Sequence, residues 1–306
     1  MKKALVPVLA ILAIAAIVVC FVLNGQKNDV NKKLEEATAK LTDAESLKDA
    51  AEAAKAEAEA KIAELEAKVA ELEEKTAAEA SKSMTHDQFI QAELDSPVVV
   101  DTYVQATQSW WDGKITVYAQ SQDGAYFIYN MACTEEDAAK LVPGAKIRVT
   151  GTKVEWSGEV EIGDATFEFV EGDSFVAEPE DVTALLGKDE LAEHMNEKIA
   201  FKGLKVAPSK VEGKDEEFPF LYAWDGSGTR DDNGVGADLY FSVEINGATY
   251  SFTVESYLCN NETEVYKAVE GLKIGDTIDC EGFLYWYNGA NPHITGVTVT
   301  QPAAAE

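Results

Sequence analysis

LVPGAKIRVTG, residues 141–151, and LKIGDTIDCEG, residues 272–282, align without a gap in this 306-residue chain. In each stretch a Leu precedes a Gly by three positions, and alternating apolar residues then lead to a second Gly. The first Gly predicts a tight turn before a strand, because glycine adopts positive φ without strain. The second Gly is expected to let the strand bend, as strands that close a barrel must. Two copies of one motif indicate two repeats of a small β domain.

The segments around the two copies follow the same order. AYFIYNMACTEEDAAK precedes the first copy and TYSFTVESYLCNNETEVYKAVEG precedes the second, and each combines a predicted strand with a short acidic helical segment. TKVEWSGEVEI and FLYWYNGANPHI follow as further strands. Short alternating runs between turns rich in Gly and Asp are typical of all-β domains. Three strands, a short helix and two strands are the order of the five-stranded OB barrel.

The pattern L-x-x-G-x-x-[IV]-x-[VC]-x-G resembles the strand-four signature of OB-fold domains of the tRNA-anticodon-binding-like type, which recur in bacterial membrane-anchored proteins and lipoproteins. The resemblance covers residues 86–176 well and residues 195–300 less well. It implies two OB-like five-stranded barrels. Ligands of such barrels bind on strands two and three, and on the loops between strands one and two and between strands four and five. A fold-level resemblance does not by itself fix a function.

The N-terminus predicts a membrane anchor. Residues 4–23 carry no charge and are long enough to span a bilayer as a helix. Lys2 and Lys3 precede them, which predicts a cytoplasmic N-terminus. We therefore expect a single-pass protein of the cell membrane with its globular part outside the cytoplasm. Two alternatives stay open, namely a lipoprotein cut before Cys20 and a cleaved signal peptide.

The next segment, residues 24–83, predicts a helical coiled-coil stalk. From residue 27 onward it lacks Gly, Pro and aromatic residues, and it is rich in the strong helix formers Ala, Glu, Lys and Leu. A heptad register places Leu34, Ile62 and Val69 on the seam and sets Lys at g against Glu at e of a parallel partner. This register predicts a homo-oligomer. The alternative is a lone helix held by ion pairs one turn apart.

The predicted fold class is an all-β globular part, made of two OB-like barrels, on an N-terminal transmembrane helix and an α-helical coiled-coil stalk. The predicted segments are the transmembrane anchor 1–23, the coiled-coil stalk 24–83, OB-like domain 1 at 84–176, a helical connector 177–196, OB-like domain 2 at 197–300, and a tail 301–306.

The charge of the globular part bears on its ligand. Residues 84–306 contain 40 acidic and 14 basic residues, and they supply most of the net charge of −29. Such a region repels phosphate backbones, whereas OB barrels that bind single strands combine stacking with a positively charged groove. The charge therefore argues against nucleic acid and leaves a protein or a glycan as the expected ligand.

Aromatic residues beside predicted turns are the candidate binding residues. They are Trp110, Trp111, Trp156, Trp224, Tyr285, Trp286 and Tyr287. Rings in such positions can stack on sugars, bases or peptide aromatics, and the alternative is that they plug the barrel ends. A hairpin turn at Asp112 and Gly113 is expected to bring Trp110 and Trp111 to the mouth of the first barrel, with Trp156 beside them.

No catalytic, cofactor or metal motif is present in the sequence. The three His residues are scattered, no CxxC pair occurs, and the acidic loop from Asp225 to Asp238 lacks the spacing of a calcium loop. We therefore expect no cofactor, no metal and no enzymatic activity. Cys259 and Cys280 are expected either as buried thiols or as a disulfide.

The leading hypothesis is a surface-displayed, membrane-anchored binding or scaffold protein that presents tandem OB-like barrels to an extracytoplasmic protein, peptide or glycan. The first alternative is an extracytoplasmic nucleic-acid-binding OB protein. The second is a hydrolase whose catalytic residues are dispersed along the chain.

Overall fold

The computed structural model describes residues 27–80 and 82–304. The chain falls into two separate units, one that ends at Glu79 and one that begins at Ala80. The described part of the first unit is helical: α1 (Lys27–Ala80) has 54 residues, and its last residue falls in the second unit. At 1.5 Å per residue its length is roughly 80 Å, so it could serve as a stalk.

Ion pairs one turn apart link exposed side chains along α1. Lys55 Nζ lies 3.5 Å from Glu59 Oε1, and Lys68 Nζ lies 3.0 Å from Glu64 Oε1. Such pairs each stabilise a helix by a few tenths of a kcal/mol. Apolar side chains at the predicted seam, such as Ile62, are largely exposed on this single chain. The coiled coil therefore stays a prediction.

No helix within residues 27–80 and 82–304 is long and apolar enough to cross a membrane. This finding contradicts the predicted localisation, a single-pass membrane protein with an extracytoplasmic globular part. That prediction is therefore withdrawn. The predicted span, residues 4–23, and Cys20 within it lie outside the described residues.

The first barrel begins with a short helix and closes from five strands. Its elements are α2 (His86–Gln91), β1 (Pro97–Thr107), β2 (Lys114–Ser121), β3 (Gly124–Ala132), α3 (Glu135–Ala138), β4 (Lys146–Trp156) and β5 (Glu159–Phe169). The strand order around the barrel is β1-β2-β3-β5-β4, with β3 and β5 parallel. Thr85 and Gln88 form a capping box at the start of α2, which places Phe89 in the barrel core.

The second barrel repeats this order with additional short strands. Its elements are β6 (Glu180–Asp181), β7 (Lys198–Ala207), β8 (Ser209–Lys210), β9 (Glu217–Phe218), β10 (Leu221–Tyr222), β11 (Leu239–Ile245), β12 (Ala248–Val254), α4 (Glu264–Glu270), β13 (Thr277–Phe283) and β14 (His293–Gln301). β7 pairs with both β11 and β13, which closes the barrel in the order β7-β11-β12-β14-β13. β12 and β14 are parallel, as β3 and β5 are in the first barrel. The prediction of two five-stranded OB-like barrels is confirmed by these pairings.

The connector between the barrels differs from the predicted helical segment. It contains β6 and two short 3₁₀ helices, Thr183–Leu185 and Asp189–His194. β6 runs parallel to β7, so part of the connector belongs to the sheet of the second barrel.

The first glycine of the repeated motif holds strand four against strand one. Gly144 has φ +88° and its N–H donates to the carbonyl oxygen of Val104 at 2.8 Å. Gly275 has φ +94° and its N–H donates to the carbonyl oxygen of Val206, also at 2.8 Å. The two turns therefore make the same contact in the two barrels, as the sequence repeat predicts.

The second glycine of the motif lies where strand five approaches most closely. A Cβ atom at Gly151 would lie 2.8 Å from the carbonyl oxygen of Gly163, and one at Gly282 would collide with the carbonyl oxygen of His293. The pairing register shifts beside both glycines. Each glycine thus lies at an irregularity of strand four, and the close approach of strand five is the physical reason for a residue without a side chain there.

The three cysteines within the described residues are buried free thiols, namely Cys133, Cys259 and Cys280. The disulfide considered between Cys259 and Cys280 is therefore not formed. Burial raises the pKa of Cys259 to about 12, which keeps its thiol protonated at neutral pH.

Candidate binding cleft

The two barrels pack against each other through aromatic rings. Tyr118 of β2 stacks on Phe283 of β13 with ring centroids 4.7 Å apart, and Phe127 of β3 meets the Tyr285 ring edge-on at 5.0 Å. The Tyr118 hydroxyl lies 2.6 Å from Nδ1 of His293. Burial lowers the pKa of His293 to about 3, so its ring is neutral and can accept the hydroxyl proton in this hydrogen bond.

The loops between strands four and five of the two barrels also meet. The Asn288 N–H donates to the carbonyl oxygen of Ser157 at 2.7 Å, and the Trp286 N–H donates to Glu159 Oε2 at 2.8 Å. The Trp286 ring lies so close to Gly158 that a Cβ there would approach it to 3.0 Å. These contacts fix the position of one barrel relative to the other.

A cleft of about 1350 Å³ lies between the barrels. Rings from both barrels line it: Phe127, Tyr129 and Trp156 from the first, and Trp224, Tyr240, Tyr285, Tyr287 and His293 from the second. The Trp156 and Tyr287 rings lie with centroids 5.2 Å apart, and both are about half exposed. The cleft thus presents aromatic faces to solvent.

The structure brings together four of the seven predicted binding residues. Trp156, Trp224, Tyr285 and Tyr287 line the cleft. Trp286 is half-buried and supports the contact between the barrels. The binding roles of all seven stay predictions.

Trp110 and Trp111 lie away from this group. The hairpin predicted at Asp112 and Gly113 forms, because Trp111 and Lys114 exchange two backbone hydrogen bonds of 2.9 Å. Trp110 lines a separate, smaller pocket, where its Nε1 donates to the Cys133 carbonyl oxygen at 2.8 Å. Trp111 is strongly exposed. The expected grouping of these two residues with Trp156 is therefore not found.

Two carboxyl groups of β5 face the second barrel. Val160 packs against the core of the first barrel, so its neighbours Glu159 and Glu161 point outward on the same face of the strand. Glu159 is completely buried, and its Oε1 has no hydrogen-bond partner in the part of the chain that the structure describes. Burial raises the pKa of Glu159 to about 8 and the pKa of Glu161 to about 7.

The second barrel adds two further acidic groups to the cleft. Asp238 Oδ1 accepts hydrogen bonds from the N–H and the hydroxyl of Ser256, at 2.8 and 2.7 Å. Glu255 accepts from the N–H groups of Tyr257 and Leu258, and burial followed by the charge of Asp238 raises its pKa to about 7. These carboxyl groups have donors within the protein.

Sequence reasoning missed the carboxyl groups and Tyr129. The alternation in EVEI, residues 159–162, places both glutamates on one face of a strand, and an outward Tyr129 on strand three belongs to the usual OB binding face. The sequence therefore indicates which residues share an outward face, but not which of them are buried. Which barrel would cover that face, however, depends on contacts between distant residues.

One cluster within the described ranges has the side chains of a metal site. Ligand atoms of Glu180 and His194 in the connector and of Glu197 just after it lie within 4.8 Å of one another. His194 Nδ1 is 2.7 Å from Glu197 Oε2, a hydrogen bond that accounts for the arrangement without an ion. In the acidic loop, Asp225 and Asp232 accept hydrogen bonds from Ser227 and Thr229 in local turns. The predicted absence of a metal stays a prediction.

No protein-family profile and no curated protein matches the chain. Among solved structures, a murine DNA-binding protein bound to double-stranded DNA is 12% identical, with 69% of this chain and 97% of that chain covered and a TM-score of 0.30. The tetrameric p202 HIN2 domain is 11% identical, with coverages of 72% and 100% and a TM-score of 0.30. The single-stranded DNA-binding protein from Thermus aquaticus is 11% identical, with coverages of 69% and 95% and a TM-score of 0.23. These similarities say nothing about a ligand. The strand pairings and the cleft between the barrels show that the chain is a two-barrel OB-like protein.

Proposed function

We propose that this chain is a binding module whose two barrels hold an extended peptide segment of a partner protein in the cleft between them. The convergence of exposed rings and carboxyl groups from both barrels carries the proposal. Aromatic side chains supply a large contact area and pair well with peptide groups. The cleft is larger than the roughly 300–1,000 Å³ of small-molecule pockets, so its size favours part of a polymer.

The charge of the cleft favours a neutral or cationic segment. Its lining contains Glu161, Asp238 and Glu255 but a single lysine, Lys210. Lys210 Nζ lies 3.0 Å from Glu217 Oε1, so its charge is already paired. An anionic ligand would meet uncompensated negative potential here.

A single-stranded nucleic acid is the second candidate. OB barrels bind single strands by stacking bases on aromatic rings, and Tyr129, Trp156 and Tyr287 are exposed rings of this kind. The acidity of the cleft opposes this function. The absence of enzymatic activity stays a prediction. Its alternative is a hydrolase whose catalytic residues are dispersed along the chain.

Binding measurements with the full chain test the proposal. The chain is offered a displayed peptide library, a glycan array and oligo-dT at low salt, and the double variant W156A/Y287A is compared with W111A. We expect peptide binding that the cleft variant loses and the W111A control retains. Truncation of one stacking ring costs about 1–3 kcal/mol of binding.

Three results would contradict the peptide proposal. Peptide binding that is equal in W156A/Y287A and W111A would place the site elsewhere. Binding of oligo-dT that weakens steeply with salt would establish the nucleic-acid candidate instead. Binding to glycans alone would leave the cleft with a different ligand class.

A further inference from the structure

We propose that Glu161 binds a cationic side chain of the ligand, the ammonium group of a lysine or the guanidinium group of an arginine. This inference rests on the proposed function, because it names the chemistry of the peptide segment that the cleft holds.

The first observation is that Glu161 lacks a donor. The residue is 7% exposed and lines the cleft, yet no N–H or O–H group of the described residues donates a hydrogen bond to its carboxyl group, and no ion pair involves it. Buried polar groups nearly always have partners, because an unpaired one forfeits its hydration. Asp238 and Glu255 in the same cleft are hydrogen-bonded within the protein. Among the carboxyl groups that line the cleft, Glu161 is therefore the one whose oxygens are free to accept from a ligand.

The second observation is the set of rings beside Glu161. Residue 161 on β5 is paired with Phe127 on the parallel strand β3, so both side chains lie on the outward face of the first barrel. The Phe127 ring contacts Tyr285 at 5.0 Å and stacks with Tyr129 at a centroid distance of 6.4 Å. A cation that reached Glu161 would lie among aromatic faces, which attract positive charge through their quadrupoles.

The third observation is the surrounding charge. Glu159 lies two residues away on the same face of β5, but burial raises its pKa to about 8, so its carboxyl group adds negative potential at Glu161 only above that pH. Lys210, the single basic residue of the lining, is paired with Glu217. No basic side chain of the lining therefore competes for Glu161, and charge complementarity favours a ligand that brings its own cation.

Small probes test this site directly. Nα-acetyl-lysine amide and Nα-acetyl-arginine amide are titrated into the full chain by NMR, with Nα-acetyl-norleucine amide as the neutral probe of similar shape. We expect the two cationic probes to bind and to shift the signals of residues that line the cleft. We expect Glu161→Gln to weaken their affinity at least about tenfold, because a buried charge pair is lost.

Matched variants separate this effect from unfolding and from general charge. Glu155→Gln removes the same charge from an exposed position on β4 and should leave all affinities unchanged. The melting temperature of Glu161→Gln should equal or exceed that of the unaltered chain, because the variant removes a buried carboxyl group without a donor.

The outcomes distinguish this inference from the proposed function. Equal affinities of the cationic probes for the unaltered chain and for Glu161→Gln, or binding of the neutral probe alone, would overturn the cation site. Peptide binding that W156A/Y287A abolishes and Glu161→Gln leaves intact would overturn the cation site while the peptide cleft stands. Failure of the library to yield peptides, together with probe binding that depends on Glu161, would overturn the peptide function and support a cation site for smaller amines.

Discussion

Glu159 is a carboxyl group in an environment far from the ordinary one for its type. It has no exposure, one oxygen accepts the Trp286 N–H, and the other has no donor among the described residues. Its pKa of about 8 in the folded chain lies well above the ordinary 4.5. Between these two pH values the folded state holds a proton that the unfolded state has released. Stability from this group is therefore complete below about pH 4.5 and is lost as the pH rises towards 8.

We predict that Glu159→Gln flattens the pH dependence of stability. In the unaltered chain this carboxyl group should lower the free energy of unfolding by about 1.4 kcal/mol per pH unit between about pH 5 and pH 8, because one proton is taken up on folding there. The variant should lack this slope. Urea denaturation at several pH values measures it. Glu155→Gln, at an exposed position, serves as the control and should follow the unaltered chain. Parallel curves for Glu159→Gln and the unaltered chain would show that the carboxyl group is ionised in the fold.

At the residue scale the sequence located the rings better than the carboxyl groups. Trp156, Tyr285 and Tyr287 could be singled out from the sequence because they are aromatic residues beside predicted turns, and the structure places all three in the lining of the cleft. Glu159 and Glu161 could not, because a chain with 40 acidic residues after residue 83 gives no sign of which ones a second barrel will bury.

The strand-four motif is the element on which both barrels depend. Its first glycine positions strand four against strand one, and its second allows strand five to approach. A side chain at the second position would displace backbone rather than a flexible side chain, so the strands could not pair as they do.

We predict that Gly282→Ala destabilises the globular part by at least about 2 kcal/mol, as overpacking against fixed backbone does. The added Cβ would collide with the carbonyl oxygen of His293. Gly271→Ala is the matched control, because its backbone is in the right-handed helical region and the nearest atom to a new Cβ is 3.4 Å away. Thermal melts of both variants measure the difference. Similar melting temperatures would mean that strand five shifts at little cost.

Element order could be predicted from the sequence because it is encoded locally, in alternating strands and a short acidic helix. The connector could not. Its residues 177–196 contain helix-forming segments, yet they adopt 3₁₀ turns and a short strand because β7 offers a free partner for residues 180–181. The small strands β8 to β10 were missed because each is only two residues long, too short for an alternating pattern: β8 pairs locally with β9, and β10 pairs with β11.

On the scale of the whole molecule, the aromatic contact joins the stability of the two barrels. Tyr118 of the first barrel and Phe283 of the second are almost fully buried in one shared cluster. We predict that residues 82–304 unfold in a single calorimetric transition with equal calorimetric and van't Hoff enthalpies. Phe283→Ala should separate it into two transitions, whereas Phe169→Ala, at an exposed position, should not. Two transitions in the unaltered chain would show that the barrels fold independently.

The helical unit makes a separate prediction about assembly. Ile62, Leu65 and Val69 are exposed on the single helix, and burial in a parallel seam would remove their apolar surface from water. The chain from residue 24 should therefore sediment as a dimer, and the chain from residue 84 as a monomer. Ile62→Lys with Val69→Lys should abolish the dimer of the longer chain. If the longer and the shorter chain sediment with the same number of chains per particle, the helix does not self-associate.

The meeting of the two corresponding loops, Ser157 with Asn288 and Glu159 with Trp286, has a consequence for how the protein responds to dilution. A symmetric dimer of separate subunits would also use contacts between equivalent loops. Such a dimer dissociates when the protein concentration falls below its dissociation constant. Here both copies belong to one chain, so their association is intramolecular and each is held at a high effective concentration near the other. The cleft should therefore keep its shape in a single molecule, however scarce the protein is.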